Sequence, residues 1–330
     1  MSNKTSVFAT RFPSNASVVL RALLGGLLIG LVYYAYWVQP VAYAKPLMSC
    51  YQWLVAHWSH VSNYSHGPLI PLIVLGLVWW KREELLNARV EPVNSGCIVV
   101  GLAMALYYFG VKSAQARIAV FSFVILLYGL ALSLGGREIF RHLFFPISFL
   151  FLMIPLNFLD EQVGFPLRQL VASLATVLLN WFGIETVRIG TGIYSRVFQF
   201  DVADPCSGIR SLMALTTVTA AYAYVTQHVQ WKRWVLFLSA MPLAVLGNLA
   251  RVTSIALVAQ VYGQEVASKA YHDYSGYIVF GVALSAMVII GLLLNFPYRR
   301  VFGSWTRPLP PIEDTGDGLL PPVEPKQSHE

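Results

Sequence analysis

Long apolar segments separated by short polar connections dominate this chain. Seven of them approach the length of a membrane-spanning helix, and a shorter one runs from Gly67 to Trp80. The seven cover roughly residues 17–37, 95–111, 118–134, 143–158, 207–226, 235–260 and 276–297. Because a helix needs about 20 apolar residues to cross a bilayer, we predict an all-α polytopic membrane protein with about eight transmembrane helices.

The segment between the fourth and fifth long runs has a different pattern. Residues 166–183 are apolar but carry several polar side chains, which is typical of a helix in the membrane interface or one packed inside a bundle. We favour an interfacial helix over a further span. Residues 184–202 alternate apolar and polar positions around Gly190 and Gly192, which predicts a short extracytoplasmic hairpin.

Composition and charge narrow the class of protein. Of the 330 residues, 56% are hydrophobic and 12% are charged, which excludes an ordinary soluble domain. The net charge of +7 does not indicate a nucleic-acid partner, since the basic residues never form a dense block with interleaved aromatics. They fall mainly in alternate connections, which the positive-inside rule assigns to the cytoplasm, so the lipid bilayer is the expected environment.

The chain divides into one membrane domain and a polar tail. The apolar pattern extends over residues 1–302, whereas residues 303–330 are rich in proline and acidic side chains. This composition predicts a disordered cytoplasmic tail, to which we assign no chemistry.

Cys206 is the first candidate for chemistry. It lies in ADPCSGIRSL, where a polar loop turns into an apolar run, and Cys50 and Cys97 are too distant in sequence to form a local pair with it. The spacing predicts neither a disulfide framework nor a metal site, and we expect no cofactor. The N–H groups of a helix beginning here would favour the thiolate, although a buried structural cysteine is the alternative.

Two further polar residues occur at unusual places. Arg251 lies inside a strongly apolar run, where an arginine costs several kcal/mol unless it is paired or faces a wet cavity. It follows Arg233 by about 18 residues, roughly 27 Å of helix, which predicts a position in the outer third of the membrane. His272 opens the last apolar run at the same face, as a proton donor or as a polar anchor. A thiol, a guanidinium and an imidazole at one face predict an acyl-transfer site.

Five other side chains are candidates for supporting roles. Asp204 and Ser207 flank the cysteine and would cap the helix or orient the imidazole. Arg210 would contact a substrate carboxylate or pair with Asp204. Asn248 precedes Arg251 by one helical turn and is expected to orient its guanidinium or to line the oxyanion site. His66 lies on the outer side and would join the site or fix the start of a short helix.

These segments resemble the exosortase family of membrane-embedded transpeptidases. The motifs YSHGPLIPLI, MIPLNF, ADPCSGIRSL and GNLARV, and then the histidine before SGY, occur in the order seen in that family, across roughly residues 60–297. The resemblance implies that Cys206 is the nucleophile and that Arg251 and His272 complete a triad. Histidine at the third position favours the bacterial branch, and thus the cytoplasmic (inner) membrane with an extracytoplasmic active site.

The resemblance also implies a substrate class. Substrates of the family are secreted proteins that end in a short motif of the PEP-CTERM kind, a transmembrane helix and a basic tail. Cleavage at the motif would leave a thioacyl enzyme, which an acceptor amine or water would resolve.

Other functions compete with this interpretation. A transporter is the chief alternative, because an intramembrane arginine often marks a substrate path, but the sequence contains no visible inverted repeat. A membrane thiol oxidoreductase would require paired cysteines. A membrane acyltransferase acting on lipid or sugar would share the chemistry and differ in its substrate.

Overall fold

The structure is a computed structural model of a mostly helical chain. It describes residues 15–42, 47–58, 64–156, 160–202, 209–267 and 272–296. The α-helices of this part are α1 (Asn15–Tyr33), α2 (Cys50–His57), α3 (Leu69–Trp80), α4 (Arg82–Asn87), α5 (Ser95–Lys112), α6 (Ala116–Leu130), α7 (Arg137–Phe149), α8 (Phe165–Trp181), α9 (Ile209–Thr226), α10 (Gln230–Tyr262), α11 (Gln264–Val266) and α12 (His272–Asn295). The predicted tail, 303–330, lies outside the described residues.

Five helices of the described part are long and apolar enough to cross a membrane. They cover Ser95–Lys112, Ala116–Gly135, Gln162–Trp181, Gln230–Tyr262 and Tyr274–Asn295. The apolar helical segments Leu23–Val38 and Leu69–Trp80 are shorter. The structure therefore supports a helical membrane protein, while the predicted count of eight spans is not confirmed.

The apolar run at 143–158 does not form one helix. Helix α7 ends at Phe149 and continues only as a 3₁₀ turn to Met153. Ile154 is extended, with ψ of 119°, because Pro155 follows it and disfavours the helical conformation of the preceding residue. Hydropathy alone does not indicate this break, since α7 continues through Pro146 and the chain leaves the helical conformation only before Pro155.

Helix α8 forms at the apolar stretch for which we favoured an interfacial position. Its buried side chains, including Val171 and Leu179, belong to one hydrophobic cluster with Val252 and Ala256 of α10. The helix is also among the five that meet the length and hydropathy of a span. Its position in the interface therefore stays a prediction, and its packing on α10 is a finding.

Two small antiparallel sheets accompany the helices. Strands β1 (Pro40–Ala42) and β2 (Met48–Ser49) form the first, and β3 (Thr186–Ile189), β4 (Gly192–Ser195) and β5 (Gln199–Asp201) form the second in that order. The hairpin predicted at 184–202 is confirmed as β3–β4, whose two-residue turn has Gly190 at φ of +65°. The third strand, β5, was not predicted.

Side chains around Tyr224 join the carboxyl-terminal helices to the amino-terminal ones. One hydrophobic cluster joins α2, α3, α5, α6 and α7 to Ala220 of α9, another joins α8, α10 and the second sheet, and two smaller ones join α9, α10 and α12. Tyr224 of α9 stacks on Phe145 of α7 with the ring centroids 3.8 Å apart. The Lys81 ammonium and the Arg233 guanidinium lie over the same tyrosine ring, at 5.7 and 5.0 Å from its centroid. These contacts hold α9 and α10 against α3 and α7.

Glycines allow α5 and α6 to approach closely. A Cβ atom at Gly110 would lie 2.6 Å from the backbone nitrogen of Ala119, and one at Gly96 would lie 2.3 Å from that of Ser133. Such contacts with backbone atoms cannot relax by a change of rotamer. Small residues at a helix contact are the usual means of close packing in membranes.

Substitution of Gly110 should therefore separate α5 from α6. We expect Gly110→Leu to lower the melting temperature of the protein in detergent, because the added side chain overpacks a contact with rigid backbone, at a cost of about 1–3 kcal/mol. The matched control is Gly101→Leu on the same helix, where a Cβ would have no neighbour within 4 Å. Equal melting temperatures for the two variants would contradict this packing.

Candidate functional site

The nucleophile candidate lies between two elements that the structure describes. Cys206, Asp204 and Ser207 themselves are outside the described residues. Strand β5 ends at Asp201 before this segment, and α9 begins at Ile209 after it. The predicted start of a helix just after the cysteine is therefore supported by α9, and the geometry of the thiol stays a prediction.

Arg251 is held between α10 and α12. Its side chain is partly buried, and its Nε–H donates a hydrogen bond to Oγ of Ser275 at 3.3 Å. Ser275 is only 1% exposed, so the guanidinium meets a polar group that water scarcely reaches. Because a buried cation needs polar partners, this contact lowers the cost of placing an arginine in an apolar helix.

A small cavity lies beside the Arg251 guanidinium. Its volume is about 30 Å³, enough for a water molecule, and its polar lining residues are Ser211, Asn248 and Arg251. Asn248 is 5% exposed and precedes Arg251 by one turn of α10, so both lie on the same face of that helix. The structure thus brings together Asn248 and Arg251, as the sequence predicted.

The first turn of α9 reaches the same cavity. Ser211 lines it, five positions after Cys206 in the chain, and Arg210 is the second residue of the helix and partly buried. The start of α9 therefore lies next to Arg251. The choice between a substrate carboxylate and Asp204 as the partner of Arg210 stays open, since Asp204 is outside the described residues.

His272 is the first residue of α12, the helix that contacts Arg251. Residues three and four apart on a helix share a face, so positions 272, 275 and 276 lie together along α12. A Cβ atom at Gly276 would lie 3.4 Å from both Cζ and Nη2 of Arg251. Helix register alone therefore places His272 one turn from the residues that touch the guanidinium.

His66 lies in a separate polar turn. Its side chain is 9% exposed and its ring stacks on that of Tyr64 at 5.6 Å. Burial lowers the pKa of His66 and so favours the neutral imidazole at pH 7. A hydrogen bond with the backbone of Leu152 has the opposite and smaller effect. Among the described residues, His66 is not one that lines the Arg251 cavity.

Two motifs of the sequence meet at this turn. The Tyr64 hydroxyl oxygen accepts a hydrogen bond from the backbone N–H of Leu156 at 3.0 Å. The Trp58 indole N–H donates to the carbonyl oxygen of Met153 at 2.9 Å. The YSHG turn is thereby fixed on the segment that contains MIPL. The carbonyl oxygen of His66 accepts a hydrogen bond from the N–H of Leu69, the first residue of α3, at 3.0 Å. The participation of the His66 side chain in the site stays a prediction.

Three residues near Arg251 were not singled out from the sequence. Ser211, Ser275 and Gly276 contact or line the site, and each follows a predicted site residue by three to five positions. Helical spacing from His272 would have indicated positions 275 and 276. Both positions belong to the SGY segment, so the sequence contains the signal for them.

The fold and the site define a class of protein: a helical membrane protein with a partly buried arginine between its last two long helices. The chain belongs to the transmembrane exosortase family, whose sequence model matches residues 58–289. The matched region includes α10 with Arg251 and the start of α12 with His272. No curated protein and no solved structure matches the chain.

The turn that carries His66 yields a test of the local packing. A Cβ atom at Gly67 would lie 2.1 Å from Cδ1 of Trp58, so we expect Gly67→Ala to displace the indole and break its hydrogen bond to Met153. The predicted result is a lower melting temperature and faster proteolysis at this turn. Gly76→Ala on α3 is the control, since a Cβ there would have no neighbour within 4 Å. A melting temperature of Gly67→Ala equal to that of the control would refute the contact.

Proposed function

We propose that this protein is a membrane-embedded cysteine transpeptidase that cleaves the C-terminal sorting signals of secreted proteins. Cleavage takes place at the extracytoplasmic face of a bacterial inner membrane. Cys206 is the nucleophile, Arg251 stabilises the oxyanion and His272 transfers the proton. The observation that carries the proposal is the position of Arg251: its guanidinium contacts the helix that His272 begins, and Ser211, close after Cys206, lines the same cavity.

The proposed reaction begins with attack of the Cys206 thiolate on the carbonyl carbon of the sorting motif. The electron pair of the C=O bond moves to oxygen, and the Arg251 guanidinium stabilises that negative charge. Collapse of the tetrahedral intermediate breaks the C–N bond, and the His272 imidazolium gives its proton to the leaving amine. The products of this half are a thioester on Cys206 and the released C-terminal segment.

The second half of the reaction returns the enzyme to its starting state. An acceptor amine, or water, attacks the thioester carbonyl while His272 accepts the proton of the nucleophile. The C–S bond breaks, and sulfur leaves as the thiolate. An amine acceptor gives a new amide bond and thus transpeptidation, whereas water gives a free carboxylate.

The supporting residues receive roles that follow from their positions. Asn248, buried on the same face of α10 as Arg251, orients the guanidinium or adds a donor for the oxyanion. Arg210, in the first turn of α9, binds a carboxylate of the sorting motif or pairs with Asp204. Ser207 and Asp204 cap the helix that follows the nucleophile.

An enzyme embedded in the membrane is suited to a substrate that is itself anchored in the membrane. A sorting signal with a transmembrane helix and a basic tail would insert with its tail in the cytoplasm, as the positive-inside rule requires. Its motif would then stand at the extracytoplasmic interface. The five helices long enough to span a membrane give such a substrate helix a bundle against which to lie.

Co-expression with a secreted reporter tests this function. The reporter ends in a PEP-CTERM-type motif, an apolar helix and a basic tail. We expect wild-type protein to convert it to a shorter product, and Cys206→Ala to leave it unprocessed because the thioester cannot form. The control is Cys97→Ala, which removes an exposed thiol far from the site in sequence.

The mass of the product C-terminus then identifies the acceptor. A free carboxylate indicates hydrolysis, and an added mass indicates transfer to an amine. Processing of the reporter by Cys206→Ala at the wild-type rate, with both proteins present in the membrane at equal levels, would refute the proposed function.

A further inference from the structure

Contacts with α12 help to fix the position of the Arg251 guanidinium. An arginine side chain has four rotatable bonds, so its backbone position on α10 leaves the charged group free to occupy many places. The hydrogen bond from Nε to Ser275 Oγ, at 3.3 Å, removes that freedom at the point where the planar group begins. Ser275 itself is almost fully buried, with 1% of its surface exposed.

Gly276 supplies the space that the guanidinium occupies. The three nearest atoms to a Cβ at this position would be Cζ, Nη2 and Nη1 of Arg251, at 3.4, 3.4 and 3.7 Å. A methyl group would thus only touch the guanidinium, whereas a branched side chain would occupy its place. The glycine therefore acts through Arg251 and not through a helix contact of its own.

Ser275 and Gly276 follow His272 by three and four residues. On an α-helix these positions are neighbours, with Cβ atoms about 5–6 Å apart. One turn of α12 thus carries both the residue proposed to transfer the proton and the residues that hold the guanidinium. A rigid helix, and not a loop, then sets the separation between His272 and the Arg251 guanidinium.

We infer that Ser275 and Gly276 are positioning residues for Arg251: Ser275 fixes the guanidinium through Nε, and Gly276 leaves room for its terminal nitrogens. The inference rests on the proposed function. It also predicts that lysine is a poor replacement for Arg251. A lysine lacks the Nε–H and the planar group, so it would keep the charge and lose the orientation.

The inference predicts that Ser275 affects the rate only through Arg251. A displacement of about 1 Å in a catalytic group can cost about a hundredfold in rate, so we expect Ser275→Ala to slow processing of the reporter by roughly tenfold to a hundredfold. Ser275→Thr keeps the hydroxyl and should recover most of the rate. Gly276→Ala should be mild, and Gly276→Val should be as slow as Ser275→Ala.

The matched control is Ser285→Ala on the same helix. Within the part of the chain that the structure describes, the Ser285 hydroxyl donates a hydrogen bond to the carbonyl oxygen of Gly281 at 2.9 Å, and Ser285 is exposed. We expect its processing rate to stay within about twofold of wild type. All variants are compared in cells by pulse-chase, with the amount of each protein in the membrane measured by immunoblot.

A double-mutant cycle separates positioning from a structural role. In an Arg251→Lys background, Ser275→Ala should cause no further loss, because the group that Ser275 orients is already gone. Equal losses from Ser275→Ala in both backgrounds, or a wild-type rate for Ser275→Ala alone, would overturn the inference. The proposed function would survive either result as long as Cys206→Ala abolishes processing, whereas processing by Cys206→Ala would refute the proposed function itself.

Discussion

The burial of one positive charge in an apolar helix bundle constrains the rest of this site. A guanidinium inside a membrane protein needs polar surroundings, which its own helix and the neighbouring helices supply. Here Ser275 of α12 accepts a hydrogen bond from Arg251, and Asn248 of α10 and Ser211 of α9 line the cavity beside it. The charge therefore requires α9, α10 and α12 to meet at one place.

The same arrangement explains why the residues at the contact between α10 and α12 are small. Gly276 faces the guanidinium directly, and a Cβ at Gly247 would lie 3.0 Å from Val279 of α12. A larger residue at Gly247 would press on the Val279 side chain, and a branched residue at Gly276 would occupy the place of the guanidinium. A site that relies on short distances between two helices thus depends on glycine at both of them.

The amino-terminal helices pack against the helices that form the site. The YSHG turn is fixed on the segment after α7, and Tyr224 joins α7 to α9 through a stacked pair with Phe145. Two cations over the tyrosine ring add to that contact, since the ring face is negative. The position of α9 thus depends on packing far along the chain from Arg251.

Much of this could be predicted from the sequence, because the signals are local. Hydrophobic runs marked most of the long helices, alternation marked the β3–β4 hairpin, and depth along α10 marked Arg251 as unusual. The count of spans could not be predicted, since Pro155 ends a helix within an apolar run and α8 is polar enough to suit two settings. The contacts of His66 could not be predicted either, because residues near Leu152 reach it only through tertiary packing.

The contacts of Arg251 were missed for a related reason. Depth in the membrane can be counted along one helix, but rotation about the helix axis and the choice of partner depend on a second helix. Ser275 and Gly276 lie on α12, so their relation to Arg251 emerges only when the two helices pack. Sequence reasoning identified the residue that bears the charge and not the residues that hold it.

The central claim is that Arg251 and the thiol of Cys206 lie in one site, where the guanidinium stabilises the oxyanion formed by attack of the thiolate. The most direct test is the rate of alkylation of each cysteine at pH 7 by iodoacetamide in the purified full-length protein, resolved by peptide mass. The account predicts that Arg251→Gln slows alkylation of Cys206 by roughly tenfold or more, because a nearby cation favours the reactive thiolate, while exposed Cys97 is unaffected. An unchanged rate at Cys206 would contradict the claim.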